Sequence, residues 1–141
     1  RSEADRLALI DGLKDGSIDF LASDHAPHSP EEREKGISGL PHLDTYGSFT
    51  TWLIEKHGFT PEQIAQVCSY NPGLYFKSFS NSNYGQIKPG FVASFSIIDL
   101  SKKALISKEK LFTKAAWSPF LNQEFAGSVK YAIIRGRVYQ N

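Results

Sequence analysis

From Glu3 to Lys14 the apolar residues Leu7, Ile10 and Leu13, with Ala4 and Ala8, fall on one face at helical spacing, and Asp15-Gly16 follows as a stop. This predicts a helix that begins just after Ser2, which caps it with Asp5 three positions on. Ile18 to Ala22 is short and mostly apolar, the pattern of a strand covered on both faces in a parallel sheet with helices outside. The polar stretch from Ser23 to His42 holds three of the seven prolines and two glycines, and reads as a long loop beginning where that strand ends. A second helix is expected over Leu43 to Lys56, with Phe49, Trp52 and Leu53 inward, although Gly47 and three threonines lower its propensity. Thr60 and Pro61 open a further helix, TPEQIAQVCSY, with Ile64, Val67 and Cys68 inward. Asn71-Pro72 is expected to break it, leaving a short helical turn over Gly73 to Lys77.

Beyond Phe79 the spacing of apolar residues becomes strand-like. Strands are predicted over Ser94 to Asp99, within KALIS, and on both sides of a turn at Arg135-Gly136. Three or four such strands cannot close a barrel and call for partners that this chain does not evidently contain. The polar connection SNSNYG places a boundary near Ser80, dividing 1–80 from 81–141. The fold class is α/β.

Composition narrows the field. The balance of 40% hydrophobic and 22% charged residues is that of a globular domain, and 16 basic against 15 acidic residues leave a net charge of +1. That charge supplies no electrostatic case for nucleic acid or an anionic membrane as partner. Apolar runs such as IDFLA and YAII are too short to cross a bilayer, and no leader pattern opens the chain. The single cysteine, Cys68, excludes an internal disulfide and reads as a buried, inert thiol, so a reducing cytoplasm is the expected location. Lys102, Lys103, Lys108 and Lys110 read as a solvated cluster, and Trp117 with Phe120 as anchors of a late loop. RSEADR lacks an initiator methionine and starts at the edge of a helix, as a piece of a longer protein would.

The candidate chemistry is concentrated in SDHAPHSPEE, Ser23 to Glu32. Asp24 can cap a turn. It can also bind a metal or move a proton, because parallel α/β folds gather their chemistry at the carboxyl ends of strands. Pro27 between His25 and His28 argues against a helical zinc pair. His28 could donate to a substrate carboxylate, and His25 could be a donor behind the reacting groups. No Cys-x-x-Cys knuckle, glycine-rich phosphate loop or nucleophile elbow is present.

DHAPH followed by PEE, then GLPHLDT, NPGLYF, QIKPGFVASFSIID, the SPF of 118–120 and IIRGRVY together resemble the carboxyl-terminal part of dihydroorotases in the cyclic amidohydrolase superfamily. The likeness spans nearly the whole chain. It implies the end of a TIM-like (β/α)8 metal-dependent hydrolase barrel over 1–80, with the last strand, metal-site loop and flanking helices. The rest, 81–141, would be strands of a small β-sandwich completed by the missing amino-terminal part. It also implies zinc-dependent interconversion of dihydroorotate and N-carbamoyl-aspartate in pyrimidine synthesis. Asp24 would be the metal-contacting proton shuttle, His28 the ligand of the substrate carboxylate, and Ser38 and Gly39 the backbone groups touching the ring. Beyond the small-molecule substrate, the resemblance leaves room for a homodimer.

The resemblance also leaves alternatives, namely an allantoinase or dihydropyrimidinase type, or a non-catalytic scaffold subunit. Two departures weaken the substrate assignment more than the mechanism. Asp44 stands where many relatives have glutamate, which could loosen a loop anchor, and Ser94 replaces an aspartate. The four histidines, His25, His28, His42 and His57, contain no His-x-His pair, and a (β/α)8 barrel needs about 200 residues or more. The chain alone is therefore expected to hold no pair of zinc ions, to be inactive, and to aggregate through apolar faces meant for other strands.

Overall fold

A computed structural model of the chain describes residues 2–140. It contains helices α1 (Glu3–Asp15), α2 (Pro30–Glu34), α3 (Leu43–His57), α4 (Pro61–Ala65) and α5 (Asn71–Phe76). Its strands are β1 (Phe95–Asp99), β2 (Ala104–Leu105), β3 (Glu124–Phe125), β4 (Ser128–Ile134) and β5 (Arg137–Gln140). The strands form one sheet in the order β1-β4-β5 and a small β2-β3 pair. The chain divides into two compact units that interleave along the sequence, 1–22 with 53–96 and 131–141, and 23–52 with 97–130. This division follows contacts within the chain. Residue 80, where the sequence pattern places a boundary, lies within the first unit.

In the first unit, Ser2 and Asp5 form the expected capping box, and Gly16 ends α1 at φ 86°. Ile10 and Leu13 are buried, whereas Leu7 and the two alanines expected beside them are exposed. The carboxyl-terminal half of the helix is the part held down. Lys14 Nζ donates to the His57 carbonyl at 2.7 Å and lies 5.8 Å from the Phe59 ring. The end of α3 closes with a reversal at Gly58 (φ 63°), where Phe59 N–H returns to the Leu53 carbonyl and Gly58 N–H to that of Ile54.

The segment 18–22 corrects an expectation. It forms no strand, and it is only partly covered. Its hydrogen bonds go to helical residues: Leu21 N–H donates to the Val67 carbonyl at 3.1 Å, and Asn71 Nδ2 to that of Asp19 at 2.6 Å. An apolar run suits a buried parallel strand, yet a strand exists only where neighbouring strands complete its ladder.

A second correction concerns Asn71-Pro72, which does not end the helical path. Thr60 and Gln63 form a capping box on α4, and Gln66–Tyr70 then widens into a π-helical turn. There the Asn71 N–H reaches back to the Gln66 carbonyl. This five-residue spacing carries the chain past a proline that lacks an N–H, and α5 continues through it. Cys68, expected to be buried, is half-buried. Gly73 and Gly85 permit close backbone approach, because a Cβ on Gly73 would strike the Tyr84 carbonyl and one on Gly85 the Ser69 carbonyl.

The hairpin of β4 and β5 pairs Ile134 with Arg137, leaving Arg135 (φ 48°) and Gly136 (φ 82°) as a two-residue turn. Both φ values are positive, as the twist of a tight hairpin requires. Ser94, which departs from the aspartate of the family pattern, accepts the Arg135 N–H at 3.1 Å through its hydroxyl.

In the second unit the inner face of α3 is polar. Thr45, Ser48 and Thr51 are buried, with Thr51 at 0% exposure, while Phe49 and Trp52 are half-buried and stack on each other. The expected inward aromatics therefore share the helix with a hydroxyl-bearing seam. Thr51 Oγ1 lies 2.7 Å from the Ser48 carbonyl and accepts the Gly127 N–H at 3.1 Å. Asp99 accepts from the Ser101 hydroxyl and N–H and stands 3.4 Å from Lys130, and these contacts hold its pKa at about 2.

Candidate functional site

Asp24 has φ 45°, in the left-handed region that non-glycine residues adopt at a cost of about 1–3 kcal/mol unless their surroundings over-determine it. The residues that follow supply that constraint. His25 makes a parallel bridge to Leu40, and Ala26 N–H donates to the Leu40 carbonyl at 3.0 Å. The His25 ring accepts two backbone N–H groups at Nδ1, from His42 at 3.0 Å and Leu43 at 3.2 Å. Those N–H groups belong to the start of α3, where intrahelical partners are lacking. His25 thus does for α3 what a capping serine or aspartate does elsewhere. An Nδ1 that accepts cannot carry a proton, so the neutral ring holds its hydrogen on Nε2.

His42 is half-buried beside this ring. Its pKa is lowered by burial first and by His25 second, with Asp24 pulling the other way. Asp24 therefore acts electrostatically on His42, although its own side chain is exposed. His28 follows through Pro27. Its Nδ1 lies 3.4 Å from the Glu32 carboxylate, and its carbonyl accepts the Trp117 indole N–H at 2.7 Å. The Arg33 guanidinium covers the Trp117 ring at 4.2 Å, which ties α2 to the 117–120 loop. α2 itself, capped by Ser29 with Glu32, interrupts the stretch read as continuous loop. Gly39 has φ 148°, and a Cβ there would lie 2.7 Å from Ala26 Cβ, the Ala26 carbonyl oxygen and His28 Cδ2.

The Amidohydrolase family model matches residues 1–139. The chain belongs to this family. Among curated proteins it is 36% identical over 138 residues to a dihydroorotase of Pyrococcus furiosus, covering 98% of this chain and 32% of that protein. It is 33% identical over 144 residues to a dihydroorotase of Staphylococcus epidermidis, covering 98% and 33%. Among solved structures it superimposes on an L-hydantoinase (dihydropyrimidinase) of Arthrobacter aurescens with TM-score 0.88 and 25% identity, covering all of this chain and 33% of that one. A D-hydantoinase of Thermus sp. shares the fold at TM-score 0.87 and 22% identity, covering 98% and 31%. The chain spans about a third of the length of these relatives.

Within this amidohydrolase chain the predicted residues sort into two neighbourhoods. Asp24, His25 and His42 meet at the start of α3, while His28 and Gly39 pack together across the loop from Ala26. Ser38 is exposed beside Gly39. His25 accepts at Nδ1, which leaves Nε2 for the donor role anticipated for it. As for zinc, no three His, Cys, Asp or Glu side chains among the described residues are grouped to hold a metal ion. His25 has committed Nδ1 to backbone, so within this cluster Asp24 offers the open carboxylate. One carboxylate does not make a zinc site, and the donor set of this chain does not by itself fit the metal.

Two contacts around the candidate site escaped the sequence reading. Trp117, read only as a loop anchor, fixes the backbone of His28. Asp44, read as a loosened anchor, reaches two N–H groups, those of Phe112 at 3.1 Å and Thr113 at 2.9 Å. The shorter side chain suffices because the 112–113 backbone comes close enough to α3. Asp44→Ala is expected to destabilise the protein by about 2 kcal/mol, since two backbone donors lose a charged acceptor. Hydrogen exchange at Phe112 and Thr113 should quicken in the same variant, and unchanged exchange would show that the anchor lies elsewhere.

Proposed function

We propose that the full-length protein is a cytoplasmic cyclic amidohydrolase of the dihydroorotase type, which reversibly hydrolyses the cyclic amide of dihydroorotate to N-carbamoyl-aspartate in pyrimidine synthesis. In this reading 1–80 closes a TIM-like barrel and 81–141 contributes strands to a β-sandwich. The observation that carries it is DHAPH, Asp24 to His28, rigidly tied to α3 and the Leu40 backbone within a chain 36% identical to a dihydroorotase.

Asp24 is the proton carrier. Water attacks the ring carbonyl carbon, Asp24 takes the water's proton, the C–N bond breaks, and Asp24 delivers the proton to the departing nitrogen. A carboxylate suits both halves because it can be base in one and acid in the other. His28 donates from Nε2, the ring nitrogen not engaged by Glu32, to the substrate carboxylate. Backbone groups at Ser38 and Gly39 touch the ring. Zinc would be held mainly by residues outside this chain, with Asp24 as the one carboxylate offered to it here.

The structural likeness to a hydantoinase (dihydropyrimidinase) favours a second reading, with a ring that lacks the carboxylate. A panel of dihydroorotate, dihydrouracil, hydantoin and allantoin with the purified full-length protein separates the two. Dihydroorotate should exceed the others by at least about 100-fold in kcat/KM, because a site built to pair with a charged group strongly rejects rings without it. Preference for hydantoin or dihydrouracil would support the second reading, and no turnover of any ring a scaffold.

A further inference from the structure

We propose that His25 is a positioning residue for Asp24, acting as a double hydrogen-bond acceptor that pins the strained backbone of Asp24 to the first turn of α3. The inference rests on the role given to Asp24 above and extends it to a neighbour that touches no substrate. Three observations converge on it. The left-handed φ of Asp24, 45°, is a conformation that its own side chain does little to stabilise, since that side chain is exposed. The ring directly after it is anchored twice, to His42 N–H and Leu43 N–H at 3.0 and 3.2 Å. The backbone beyond is anchored again through the bridge to Leu40 and the Ala26 N–H.

Rotation about the Asp24 backbone swings its carboxylate, and the direction of a proton carrier matters more than its mere presence. Removing the acceptor at His25 frees Asp24 to relax toward an ordinary negative φ. Two helix N–H groups lose their partner at the same time. The consequence is a carboxylate of unchanged chemistry aimed elsewhere.

Asparagine tests this, because its side-chain oxygen occupies nearly the place of an imidazole Nδ1, whereas the longer glutamine puts its oxygen nearer Nε2. In the full-length protein, His25→Phe is expected to lower kcat for dihydroorotate about 100-fold while leaving KM within about twofold. Hydrogen exchange at His42 and Leu43 should quicken in parallel. His25→Asn should restore kcat to within about threefold of the parent and return the protection of both amides, and His25→Gln should do neither. Parental kcat in His25→Phe overturns the proposal. If the phenylalanine variant does not fold, the asparagine and glutamine variants decide it, and equal kcat in the two overturns it. A parent that turns over no cyclic amide removes the reading of Asp24 and this proposal with it, while parental activity that is insensitive to His25 removes this proposal alone.

Discussion

Asp24→Asn in the full-length protein is expected to lower the turnover of dihydroorotate by about 1,000-fold, within the range a positioned acid–base group contributes. Asparagine is the informative replacement. It keeps the size of the side chain and tolerates φ 45° at least as well as aspartate does, so the backbone has no reason to move. The side chain is exposed, so stability should stay within about 0.5 kcal/mol of the parent. Asparagine cannot take and return a proton, and it carries no negative charge, while the size of the side chain is kept. Steady-state kinetics alongside thermal unfolding checks both halves. Parental turnover in a folded Asp24→Asn protein would take Asp24 out of the mechanism, whatever the family likeness.

Gly39→Ala is expected to be the most disruptive small substitution in the loop, lowering stability by about 3 kcal/mol. Two costs add. The added methyl would sit 2.7 Å from Ala26 Cβ, the Ala26 carbonyl oxygen and His28 Cδ2, closer than van der Waals contact allows. Overpacking of that kind costs about 1–3 kcal/mol, and a side chain at φ 148° adds strain of similar size. Relief requires Ala26 or His28 to move, which displaces the imidazole assigned to the substrate carboxylate. KM for dihydroorotate should therefore rise by about tenfold or more, against a smaller change in kcat. Denaturant unfolding and kinetics of the one variant supply both numbers. A parental unfolding midpoint would mean that the loop opens at no cost and that Gly39 does not hold His28 in place.

The two substitutions probe different links. Asp24→Asn leaves the structure and removes the chemistry, while Gly39→Ala leaves every ionisable group and moves one of them. The His25 series lies between, since it keeps the carboxylate and releases the backbone that aims it. Concordant results from all three would locate the proton carrier, its support and the substrate anchor within a stretch of about 20 residues, His25 and Asp24 on one side of the loop and Gly39 on the other.

Residue order alone specified the features whose energetics are local. The helix caps at Ser2 and Thr60, the stop at Gly16, the Arg135-Gly136 turn and the extent of α3 were readable because each depends on neighbours within four positions. Asp24 and His28 stood out as candidates because few motifs bring those residue types together at that spacing, and the roles proposed for them rest on the family likeness. Features that depend on distant chain could not be seen. The run 18–22 has strand composition but no ladder, because ladders need another strand. Gly47 and the threonines of α3, which lower its intrinsic propensity, are what the packed helix uses: Thr51 binds Gly127, and a Cβ on Gly47 would strike Val129. His25 is the sharpest case, since nothing in DHAPH says that its ring accepts hydrogen bonds from residues 17 and 18 positions away. A hydrogen bond across the fold depends on where two segments come to lie in space, and only the folded backbone brings them there.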